Sequence, residues 1–263
     1  MRTILNPAGT ILIMALILVG AIESRAQNLL GNGSFETPLV TNATKAMFPA
    51  TMAPWQTATT NFEIWTNGWD NPAAGIARTT SADGGQNLEI LPSGSNNIVW
   101  QTVPTVKGER YHFSFFYSPR PKASPDLFMV SVNSNTVFSV TDDGSTLTNF
   151  NWQSVTTHIV AESNLTTLAF SDLSLSGGGS GTHIDGVVFE HEPMLFLDNA
   201  GPNLNVHWFG VSNETYQVQF RTNLVLGNWS NIGSAQPGGN TTNSLVMSQA
   251  NSSQGFYRIM LGP

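Results

Sequence analysis

The stretch Tyr111-His112-Phe113-Ser114-Phe115-Phe116-Tyr117-Ser118-Pro119-Arg120 decides the fold class. Tyr111, Phe113, Phe115 and Tyr117 recur at every second position, with His112 and Ser114 between them. This spacing puts four rings on one face of a strand; a helix would scatter them. Working outward, Phe128, Val130 and Val132 alternate with Met129, Ser131 and Asn133, and Leu168 and Phe170 alternate with Thr167, Ala169 and Ser171. Turn formers separate the runs: Asp83-Gly84-Gly85, Pro92-Ser93-Gly94, Lys107-Gly108, Asp142-Asp143-Gly144 and the glycine-rich 176–181. Helical periodicity is nearly absent. Many short strands spaced by turns predict an all-β sandwich or jelly roll.

Two acidic motifs bracket this region. Asn32-Gly33-Ser34-Phe35-Glu36 opens it and His183-Ile184-Asp185-Gly186-Val187-Val188 closes it. The first and last strands of a jelly roll often end as neighbours. Glu36 and Asp185 are therefore the leading candidates to share a structural Ca²⁺, a cation that takes carboxylate and carbonyl oxygens.

Four segments resemble one family. Asn28-Leu29-Leu30-Gly31-Asn32-Gly33-Ser34-Phe35-Glu36 is similar to the N-L-L-x-N-G-x-F-E opening of galactose-binding-like jelly rolls. That group includes carbohydrate-binding modules and DUF642-type secreted proteins. Ser81-Ala82-Asp83-Gly84-Gly85-Gln86-Asn87-Leu88-Glu89 resembles their A-D-G-x-Q-x-x-x-L segment, 111–120 their Y-x-x-S-F-x-Y-S-x-R strand, and Ile184-Asp185-Gly186-Val187 their I-D-D/N-V end. The four occur in the family's order over 28–190. The resemblance implies a jelly-roll fold and carbohydrate binding, and it adds weight to the Ca²⁺ site. Gly186 departs from it, because the family often carries a second Asp or Asn there.

The 263-residue chain is long enough for two ordinary domains. Arg2, the apolar run 11–19 and the small residues of Ser24-Arg25-Ala26 read as a secretory signal peptide over 1–26. The apolar run is too short to favour a span, and no second run follows it, so no transmembrane anchor is expected. Cysteine is absent, which excludes thiol catalysis and Cys-ligated zinc. The net charge is −7 with no basic run, so nucleic acid is not an expected partner.

The stretch 38–61 is interrupted by Pro38, Pro49 and Pro54 and reads as a long surface loop, with room for short edge strands. The charged Phe189-Glu190-His191-Glu192-Pro193 marks a boundary between domains 27–191 and 193–263. Beyond it Leu204, Val206 and Trp208 alternate, then Tyr216, Val218 and Phe220, with Trp229 and Phe256-Tyr257-Arg258-Ile259 following. About 70 such residues suit a small immunoglobulin- or fibronectin-III-like sandwich, with Leu204, Val206, Trp208, Val218 and Trp229 packed on one another.

Catalytic signatures are lacking. There is no G-x-S-x-G elbow and no H-E-x-x-H pair. His183 and Asp185 would face the same way on a strand but have no visible third ligand. Glu63, Asp70, Asp83 and Glu89 lie near the long loop, and nothing in their spacing selects a glycosidase pair. Aromatic residues make up 10% of the chain, with seven Trp. Trp55, Trp65, Trp69 and Trp100 are candidates for a recognition surface. Trp65 lies in an apolar run and reads as core, and Trp69, among turn formers, reads as exposed. Trp69, Arg78 and Arg120 are the expected ligand-binding residues: an indole for a sugar's apolar face and guanidinium forks for its polar groups. The expected protein is a secreted, non-catalytic binder of a polysaccharide or other glycan, the alternative being a structural or adhesive surface protein.

Overall fold

A computed structural model describes residues 26–41, 44–49, 52–59, 61–90, 97–174, 181–200, 203–248 and 255–262. Most of the predicted signal peptide, and most of the glycine-rich turn 176–181, lie outside these. The chain divides into two compact units, one of them Gln27–His191 and the other containing Glu192–Pro263.

The first unit is a sandwich of two antiparallel sheets. β1 (Lys45–Pro49), β3 (Asn61–Thr66), β4 (Gln86–Glu89), β11 (His183–His191), β6 (Arg110–Ser118) and β9 (Gln153–Val160) form one sheet in that order. β2 (Gln56–Thr57), β5 (Asn97–Pro104), β10 (Leu165–Ser174), β7 (Asp126–Val132) and β8 (Asn135–Asp142) form the other. The order interleaves strands distant in sequence, as a jelly roll requires. The period-two pattern fills the core: Tyr111, Phe113 and Phe115 of β6 face Phe128 and Val130 of β7 and Leu168 and Phe170 of β10. Within 38–61 the short edge strands are present as β1 and β2, and Met52 and Trp55 between them are buried, unlike residues of a surface loop.

The terminal motifs meet. Leu29 N–H donates to Phe189 O, and Val187 N–H to Gly33 O at 2.9 Å. Asn28 fastens the same seam, its amide donating to Val187 O while its Oδ1 accepts from Phe189 N–H. A Cβ on Gly33 would stand 2.1 Å from Val187 O, so this approach needs glycine. The register of β11 against β6 shifts between Asp185 and Val188, a β-bulge around Gly186 at φ 54°. The bulge lets Ile184, Val187 and Phe189 all reach the core.

The second unit has two three-stranded sheets. One orders β12 (Phe196–Ala200), β13 (Asn203–Gly210) and β16 (Thr241–Ser248); the other orders β15 (Ser230–Pro237), β14 (Thr215–Arg221) and β17 (Phe256–Leu261). Its core holds Leu204, Val206, Trp208, Tyr216, Val218 and Tyr257. Trp229 is not among them. It lies half-buried outside the core, with the Arg221 and Arg258 guanidiniums 4.6 and 4.4 Å from its ring.

Candidate functional site

Strand parity builds a polar row on the outer face of the six-stranded sheet. In β3, Phe62 and Ile64 point into the core, so Glu63 and Trp65 point away. In β4 and β11, Leu88 and Ile184 point in, and Asn87, Glu89 and His183 point out. Register aligns them: Glu63 stands opposite Glu89, Glu89 opposite His183, and Trp65 opposite Asn87. An outer face normally meets water, yet Trp65, Asn87, Glu89 and His183 are 0% exposed.

Two loops cover them. Trp69, after β3, lies on Trp65 with ring centroids 4.1 Å apart. Phe150, before β9, lies 5.7 Å from Trp65 and 4.5 Å from His183, and Trp152 continues the row 5.1 Å from Phe150. The loops are tied by hydrogen bonds to backbone carbonyls: Ala77 N–H to Thr148 O, Asn149 Nδ2 to Arg78 O, and Trp152 Nε1 to Thr80 O. Trp69, Phe150 and Trp152 are each half-buried, so they form a partly exposed aromatic strip over the polar floor.

The floor is densely paired. Trp65 Nε1 is 2.9 Å from Glu63 Oε1 and 3.1 Å from Glu89 Oε2. Those oxygens are thus within about 6 Å of each other, near the separation used by paired glycosidase carboxylates. Lys45 Nζ pairs with Glu63 at 2.7 Å and Arg120 Nη1 with Glu89 at 2.7 Å. Both cations also approach the Trp65 ring, at 5.6 and 5.0 Å. Burial pushes Glu89 up to about 7; Arg120 opposes that and Glu63 adds to it. His183 is held well below its usual value by burial, then by Arg120 and Lys45. It is therefore neutral, with Nδ1 2.7 Å from Asn87 Oδ1, and its 3.9 Å approach to Glu89 is not an ion pair.

The expected site residues are placed unevenly. Trp69 is half-buried, not free-standing, because one side of its ring rests on Trp65. Arg120 is engaged with Glu89 beneath the strip. Arg78 is exposed, and its carbonyl anchors the covering loop. Trp55 is buried in the apolar core; Trp65 is buried too, but on the other face of its sheet; Trp100 is half-buried. Glu63 and Glu89 are now a pair, fixed by register. Asn87, Phe150 and Trp152 were not singled out from the sequence. The signal for Asn87 was its parity against Leu88; no periodic signal marks Phe150 and Trp152, which act from a loop.

Glu36 and Asp185 converge on one turn. Asp185 Oδ2 accepts N–H from Ala82 and Asp83 at 2.9 and 2.8 Å, and its Oδ1 accepts from Gly186 at 2.7 Å. Glu36 Oε1 accepts N–H from Gly85 and Gln86 at 2.7 and 2.9 Å. Asp185 lies in β11, whereas Glu36 precedes β1 in irregular backbone. Burial pushes Asp185 up to about 8 against the three N–H groups that hold it down, and Asp83 adds to the rise. Among the described residues no three His, Cys, Asp or Glu side chains group as metal ligands. A hard cation here would have two carboxylates and would draw its other oxygens from carbonyls.

No protein-family model matches the chain, and no curated protein matches it. Solved structures similar to it include TmCBM61 in complex with beta-1,4-galactotriose, at 16% identity and a TM-score of 0.42, over 64% of this chain and 100% of that one. A family 35 carbohydrate binding module from Clostridium thermocellum aligns at 11% identity and a TM-score of 0.34, over 56% of this chain and 98% of that one. The CBM22-1 xylan-binding domain from Paenibacillus barcinonensis Xyn10C aligns at 10% identity and a TM-score of 0.36, over 65% and 97%. No helix among the described residues is long and apolar enough to cross a membrane.

Proposed function

We propose that the Gln27–His191 unit is a secreted, non-catalytic glycan-binding module. The observation that carries this is the aromatic strip of Trp69, Phe150 and Trp152 on a fixed polar floor, with exposed Arg78 beside it. A pyranose offers an apolar C–H face and a rim of hydroxyls. Half-exposed rings suit the face, and a guanidinium fork suits the rim. Trp65 beneath Trp69, and the hydrogen bonds between the loops, hold the rings in place and lower the ordering cost of binding.

The carboxylate pair supports binding without hydrolysis. A glycosidase needs one acid to protonate the leaving group and another to attack or activate water across a cleft. Glu63 and Glu89 are 3% and 0% exposed, and each is held by a cation and by Trp65 Nε1. Their roles here are to fix Lys45, Trp65 and Arg120 under the strip.

Glu36 and Asp185 are the residues we assign to a structural Ca²⁺. A buried acid with its carboxyl pushed up to about 8 gains from a neighbouring cation. The ion would brace the 82–86 turn, whose Gly84 and Gly85 carbonyls accept hydrogen bonds from Asn67 in the Trp69 loop. Secretion rests on the leader-like first 26 residues.

A glycan array probed with residues 27–263, followed by calorimetry on the strongest hits, tests the reading. Saturable binding of a polysaccharide with no reducing ends released supports it. Absence of binding across neutral and acidic glycans overturns it in favour of a spacer or adhesive protein.

A further inference from the structure

The outer face of the second unit gathers its cations on one indole. Arg221 and Arg258 are the only Lys or Arg residues beyond position 192. Tyr216, Val218 and Tyr257 point into the core, so Gln219, Arg221 and Arg258 face outward on β14 and β17. Register sets Gln219 opposite Arg258 and, across the other edge, Gln219 opposite Asn231 of β15. These side chains are linked. Arg258 Nε donates to Gln219 Oε1 at 2.8 Å, and Gln219 Nε2 donates to Asn231 Oδ1 at 2.7 Å. Trp229, just before β15, takes both guanidiniums against its ring at 4.6 and 4.4 Å.

Two like charges held at one ring repel each other; burial first, and Arg221 after it, lower Arg258 below its ordinary value. Arg221 donates from Nη2 to Leu224 O, and its Nε is buried with no hydrogen-bond partner. Elsewhere in the unit, Asp198 lies 3.3 Å from His207, and Glu214 accepts a hydrogen bond from the Tyr216 hydroxyl. A carboxylate arriving between two guanidiniums would relieve their repulsion and accept paired N–H bonds. Exposed Asn228 and Asn231 beside the half-buried Trp229 add amides for hydroxyls.

We infer that the Arg221–Trp229–Arg258 face is a second, separate binding site, and that it takes a uronate-bearing polysaccharide. The sugar carboxylate sits on the guanidinium pair, and the exposed amides of Asn228 and Asn231 take the ring's hydroxyls. This site stands whether or not the first unit binds glycan.

Affinity electrophoresis of residues 27–263 through gels containing polygalacturonate, neutral galactan or poly-glutamate tests it. The wild-type protein should be retarded by polygalacturonate, at low salt more than at high salt. Arg221→Gln with Arg258→Gln should weaken that retardation at least tenfold at an unchanged circular dichroism spectrum. A wild-type protein that polygalacturonate does not slow overturns the inference, with no reference to any variant. So does equal retardation of the double variant. Equal slowing by poly-glutamate would show that charge alone acts and would overturn the sugar assignment.

Discussion

Glu63 and Glu89 face each other across β3 and β4, and Trp65 Nε1 lies within hydrogen-bond reach of both, at 2.9 and 3.1 Å. Two carboxylates at this separation repel in a buried setting unless cations and donors compensate them. Lys45, Arg120 and the indole N–H do so here. The floor under the aromatic strip is therefore a balanced network whose members depend on one another.

That dependence is measurable. Arg120→Ala leaves Glu89 buried without its cation and should cost about 3 kcal/mol of stability. Glu89→Gln should cost less, because a neutral amide needs no counter-charge. The double variant should fall well short of the sum of the two losses. Urea denaturation of the four proteins gives the coupling; strict additivity would show that the pair contributes nothing.

A second network predicts a pH dependence. Asp142 and Asp172 both bond to Thr182, one through its hydroxyl and the other through its N–H. Burial pushes their carboxyls from 3.8 up to about 7 and about 6. The folded state thus holds protons that the unfolded state has already released. Stability from these groups is present below about pH 4, falls as pH rises toward 7, and stays low above it. Asp142→Asn with Asp172→Asn should flatten that slope. Melting midpoints of both proteins from pH 4 to pH 8 check this; a wild-type midpoint that climbs steadily over the range would contradict it.

If Glu36 and Asp185 hold Ca²⁺, removing it should lower the melting midpoint of the metal-loaded protein, since a ligand that binds only the folded state stabilises it. Asp185→Asn should abolish the EDTA effect. An EDTA-insensitive midpoint, for protein shown by elemental analysis to carry calcium, would place the ion elsewhere.

Among the described residues, the apolar core of Gln27–His191 draws on none beyond Phe189, and that of the second unit begins at Leu195. A fragment of residues 27–191 should therefore fold alone and melt cooperatively. Aggregation of that fragment, alongside a soluble full chain, would mean that the two units complete each other.

The sandwich was legible because burial on one face of a strand writes itself as alternation. Tyr111, Phe113 and Phe115 announce β6, and the seam between Gly33 and Val187 follows from motifs at the two ends. The site was less legible. Trp65 reads as core because it sits among Phe62 and Ile64, yet parity sends it to the opposite face, where loops bury it. Glu63 and Glu89 are 26 positions apart in sequence, and only strand register makes them a pair. Phe150 and Trp152 reach the site from a loop, which has no period to read. Trp229 was expected in the core with Trp208, yet it belongs to no alternating run, and two arginines, not aliphatic side chains, flank its ring.

The central claim is that the half-exposed strip around Trp69 binds a glycan. Calorimetric titration of the array's strongest neutral glycan into wild-type protein and into Trp69→Ala tests it most directly, with circular dichroism confirming that both are folded. The account predicts saturable binding by the wild-type protein and a loss of roughly tenfold or more in the variant, about 1.4 kcal/mol. Equal affinity in the two folded proteins would contradict it.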